Sequence, residues 1–150
     1  MLVNSKVDEL RQQYCDVWQL YQNQQPLSPL QQQICAVILE HPEYHSELEK
    51  AEQSRARIYH PELGESNPFL HMSLHLAIRE QLSLDNPRGI NEIYQEMLNQ
   101  FHNPHTAQHQ MMFGLSQFML RIAHSEEMPE IAEYLQLLRE LVIIPETLVD

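Results

Sequence analysis

Histidine recurs at one interval in this chain: His41/His45 in HPEYH, His71/His75 in HMSLH and His105/His109 in HTAQH each enclose three residues. With 9 histidines among 150 residues, chance placement gives roughly half of one such pair, so the spacing needs a cause. On an α-helix, residues four apart lie about 40° apart on one face, with Cβ atoms about 6 Å from each other, and two imidazoles so placed can share one ion. Neutral imidazole suits Zn, Ni, Cu or Fe and does not suit Mg or Ca, which take carboxylate and carbonyl oxygen. Four histidines complete a tetrahedral structural site, whereas three and a water leave a catalytic position open.

Helical geometry points two of the pairs inward. With His71 at 0°, His75 falls at about 40°, Ile78 at about 340° and Leu82 at about 20°, while Glu80 lies near 180°. Counted from His105, His109 falls at about 40°, Met112 at about 340°, Met119 at about 320° and Ala123 at about 0°, with Gln110, Gln117 and Arg121 opposite. Buried neutral imidazoles need partners for both ring nitrogens, so these stripes require specific hydrogen bonds or a cation.

The elements that must position these residues are helices. The chain has 3 glycines and no sustained alternation of apolar and polar residues, while apolar residues recur three and four apart almost throughout, which predicts an all-α fold. A capping residue followed by proline marks helix starts at Ser28-Pro29, Asn67-Pro68 and Asn103-Pro104. About six helices are expected: about Ser5 to Asn23, with Leu10, Tyr14, Val17, Trp18 and Tyr21 inward; Pro29 to about Glu40; Pro68 to about Leu84; one with the stripe Ile90, Ile93, Tyr94, Met97, Leu98 and Phe101; Pro104 to about His124; and Pro129 to about Val142, with Ile131, Leu135, Leu138 and Val142 inward. A short helical turn follows Pro42, residues 51–66 (Arg55, Arg57, His60, Pro61, Gly64) read as a surface loop, and the tail IIPETLVD packs back or frays.

In a single-domain, up-and-down bundle of residues 1–150, the helices opening at Pro68 and Pro104 run parallel, so their histidine pairs meet at one end. His102, closing the intervening helix, arrives at the same rim, and His41 and His45 do so if the second helix ends there. The expected ligands are therefore His71, His75, His105 and His109, with His41 and His45 joining as ligands or supports. Glu40, Glu43 or Glu65 could add a carboxylate or orient an imidazole, and Arg79, about 80° around from His71, could receive an anionic substrate. No catalytic residue is assigned. His60 and His124 lack a paired neighbour and read as surface or loop residues.

Several chemistries are excluded. Neither HMSLH nor HTAQH carries the glutamate that HExxH metalloproteases use as general base, and the ExxH spacing of carboxylate di-iron bundles is missing from both. Cys15 and Cys35 sit singly among apolar residues and read as small buried hydrophobes of a reducing compartment. The methionines, Met112 among them, read as core fillers rather than thioether ligands. There is no phosphate-binding glycine loop and no nucleophile elbow. A net charge of -12 repels phosphate backbones and anionic lipids, which argues against nucleic-acid and membrane partners. MLVNSKVDELRQQ lacks the basic start and apolar block of a secretory signal, so a cytoplasmic protein is expected.

At HPEYH, NPFLHMSLHLAIREQL, NPRGI and HTAQHQMM, the chain resembles an uncharacterised proteobacterial family known as a domain of unknown function, over most of its length. That resemblance implies no activity. In outline the arrangement is also similar to DinB-like and hemerythrin-like helical bundles, whose inward histidines hold a divalent ion or an iron pair; in the DinB-like pattern, His71 or His75 would join His105 and His109. Two readings follow: a transition-metal protein, enzyme or sensor if a position stays open, and a non-catalytic interaction module with a buried histidine hydrogen-bond network.

Overall fold

The computed structural model describes residues 2–60, 63 and 65–143, with side chains from residue 6 on. Among these the chain is all helical. Eight α-helices occur, two more than expected: α1 Leu2–Gln22, α2 Pro29–Leu39, α3 His45–Glu49, α4 Ala51–Ala56, α5 Pro68–Leu84, α6 Ile90–Phe101, α7 Pro104–His124 and α8 Ile131–Val142, with a 3-10 turn over Pro42–Tyr44. The two additional helices, α3 and α4, are five and six residues long, too short for a 3.6-residue period to show in the sequence. The segment read as a loop thus opens with α4; Pro61 and Gly64 lie outside the described residues, as do residues 144–150 of the tail, while Ile143 is exposed.

Local chemistry sets the helix starts. Ser28 Oγ accepts from Gln31 N at 3.3 Å and Gln31 Oε1 accepts from Ser28 N at 2.9 Å, a reciprocal capping box. Asn67 Oδ1 accepts from Phe69 N and Leu70 N, and Asn103 Oδ1 from His105 N and Thr106 N, which satisfies the orphan donors of α5 and α7. Gly89, at φ +99°, leads into α6 in a backbone conformation that L side chains rarely adopt, and Asp85 accepts from Gly89 N and Asn91 N.

The chain packs as two compact units, Met1–Met72 and Ser73–Asp150, and the division falls inside α5. In the first, α1 packs on α2, α3 and α4 around Tyr14, Val17, Trp18, Ile34, Val37, Ile38 and Leu48. Leu10 and Tyr21, expected inward, are exposed, because the buried stripe of α1 turns toward Arg11. The Arg11 guanidinium donates to the carbonyls of Ser54, Arg55 and Arg57 at 3.2, 3.1 and 2.7 Å, closing the C-terminus of α4 with a cation where unpaired carbonyls gather.

In the second unit, α6, α7 and α8 pack on one another around Ile78, Ile90, Ile93, Met97, Met111, Met112, Phe118, Tyr134 and Leu138. In α8, Leu138 is buried as expected, but the other deeply buried positions are Tyr134 and Leu141, and Ile131 is exposed. In α7, Met119 and Ala123 are exposed and Gln110 is fully buried, its Nε2 donating to Leu141 O at 3.1 Å. Two helices cover α7, so its buried arc is wider than one stripe and reaches past the histidine face.

Candidate metal centre

The HPEYH pair is not on a continuous α-helix. His41 precedes the 3-10 turn and His45 begins α3, so the rule that residues four apart share a face does not hold, and the pair separates. Both still serve the end of α2: His41 Nδ1 donates to Val37 O at 2.7 Å, and His45 Nε2 donates at 2.8 Å to Ile38 O, which also accepts from His41 N at 3.0 Å. The His45 ring lies against Trp18, with centroids 4.2 Å apart. The His41 ring meets His71 edge-on at 4.8 Å, with Tyr44 stacked on it at 5.5 Å.

His71 and His75 stand one turn apart on α5, as the count along the helix requires. The His75 ring lies 5.3 Å from that of His109 and 5.8 Å from that of His105, and the His105 and His109 rings are 3.9 Å apart. His41 and His71 belong to the first unit, and His75, His105 and His109 to the second. His41, His71 and His75 are 1%, 4% and 0% exposed, and His109 is half-buried.

The remaining expected residues are placed differently. His105 is exposed beside His109, and His102 is exposed at the end of α6 with φ +60°. Glu40 and Glu43 are exposed. Glu65 accepts from His60 N at 2.9 Å and faces Arg57 at 4.0 Å. Arg79 Nε donates to Gln108 Oε1 at 3.3 Å, and that oxygen accepts from His75 Nε2 at 2.6 Å. His60 and His124 are exposed. Burial pushes the thiols of Cys15 and Cys35 up from 9.0, so they stay protonated at neutral pH and are poor ligands.

Sequence reasoning missed Gln108, Tyr94 and Tyr44. Gln108 lies about 60° from His105 on the wheel, but no motif marks a glutamine as the partner of an imidazole, and only the packed structure pairs them.

An all-α protein whose second unit sets the rings of His75, His105 and His109 close together is what the fold and the site define. The chain belongs to the family described as a domain of unknown function, DUF1841, whose model matches residues 6–140. No curated protein and no solved structure matches the chain.

Proposed function

We propose that the protein binds one transition-metal ion in its second unit, through His75, His105 and His109. What supports this is the approach of the three rings to between 3.9 and 5.8 Å of one another, with His75 fully buried. All-nitrogen donors select Zn, Ni, Cu or Fe. Three nitrogens leave a tetrahedral ion one further position, and the reading assigns no reaction. His41 and His71 meet in the first unit, His45 packs the end of α2, and Glu40, Glu43, Glu65 and His102 take no part.

A rival reading, an interaction module with a histidine hydrogen-bond network, draws on the bonds of His41 to Val37 O and of His75 to Gln108. Metal content decides between them. Protein purified without an affinity tag is expected to carry about one equivalent of a transition metal by mass spectrometry, or to take up one equivalent of added zinc, and His75→Ala with His109→Ala to take up none. Wild-type protein that neither carries nor takes up metal would overturn the proposal.

A further inference from the structure

We infer that Gln108 holds His75 in the tautomer that offers Nδ1 to the metal, an assignment that rests on the metal reading above. The reasoning starts at Arg79, whose guanidinium can only donate. Its Nε lies 3.3 Å from one amide atom of Gln108, so that atom is the oxygen. The amide nitrogen, on the other side, donates to the Tyr94 hydroxyl at 3.3 Å.

The same oxygen lies 2.6 Å from His75 Nε2. An acceptor at that distance requires a proton on Nε2; neutral imidazole carries one proton, so Nδ1 holds the lone pair that a metal needs. Nδ1 of His75 is buried. The group is built from three helices of one unit: Arg79 follows His75 by one turn on α5, Tyr94 stands on α6, and Gln108 directly precedes His109 on α7. Gln108 thus joins the two metal-binding helices through one hydrogen bond, and Arg79 and Tyr94 prevent its amide from turning over. A histidine ligand whose other ring nitrogen donates to a fixed acceptor is pre-oriented and more basic, and losing that acceptor typically lowers metal affinity about 10- to 100-fold.

The test uses the full chain with 15N-labelled histidine. In metal-free wild-type protein, long-range proton–nitrogen correlation is expected to show His75 protonated at Nε2. Gln108→Leu is expected to lose that tautomer and to bind zinc about 10- to 100-fold more weakly in competition with a chromophoric chelator, with an unchanged circular dichroism spectrum. Gln108→Glu keeps an acceptor for His75 and a partner for Arg79, so it should retain both the tautomer and at least wild-type affinity, a rescue that a purely structural role would not produce. A His75 protonated at Nδ1 in zinc-binding wild-type protein would overturn the inference alone, as would unchanged affinity in Gln108→Leu. Wild-type protein that shows the expected tautomer but binds no zinc would instead overturn the metal reading, and the ligand assignment with it.

Discussion

Asp8 and Arg55 face each other in a two-pronged pair, Arg55 Nε to Asp8 Oδ1 at 2.9 Å and Nη2 to Oδ2 at 2.8 Å. The hydrogen bonds from Arg55 hold the Asp8 carboxyl below its ordinary 3.8; desolvation opposes them, and the attraction of Arg55 and then of Arg11 lowers it further. A carboxylate whose folded pKa is depressed stabilises the folded chain at pH above its unfolded value and loses that contribution as pH falls through the depressed one. Asp8→Asn is therefore expected to lose less stability than wild type on titration below about pH 4, followed by denaturant midpoints at successive pH values. Superimposable acid limbs would refute it. The pair is partly solvated, so its effect is modest beside that of the buried groups.

Gly114 of α7 shows how far helix packing overrides helix propensity. A Cβ built there would meet Leu138 Cδ2 at 2.5 Å and Leu141 Cδ1 at 3.0 Å, so α8 approaches α7 where no side chain intervenes. Alanine is favoured over glycine inside a helix by about 1 kcal/mol, but overpacking a filled core costs about 1–3 kcal/mol. Leu138 is fully buried and has nowhere to retreat, so the steric effect wins. Gly114→Ala is expected to destabilise by about 1 kcal/mol in urea unfolding, and stabilisation would show that α8 yields. At the other end of the chain, the Arg11 contacts with α4 make the same point: a short helix with little propensity of its own persists because a distant side chain closes its C-terminus.

For the molecule as a whole, a metal that binds only the folded chain must raise its stability. At a free ion concentration about 100 times the dissociation constant the gain is about 2.7 kcal/mol, or a melting shift of about 5–10 °C for a chain of this size. Melting with zinc and with a chelator should differ by that order, and coincident transitions would favour the hydrogen-bond network. Among the described residues no helix is long and apolar enough to cross a membrane. The all-α class, the caps at Ser28, Asn67 and Asn103, and the spans of α2, α5 and α7 were legible in the sequence, because capping, proline placement and periodicity act within a few residues along the chain. Likewise the inward aim of His71 and His75 followed from spacing on one helix. What only the tertiary structure decided was which histidines meet. His41 meets His71 while His45 turns to Trp18, because a 3-10 turn breaks their common face; His105 stays at the surface because α6 and α8 pull the buried arc of α7 toward Gln110; and Gln108 on α7 reaches His75 on α5. Each of these depends on how helices rotate against their neighbours, a balance of packing over many residues distant in sequence that no local spacing encodes.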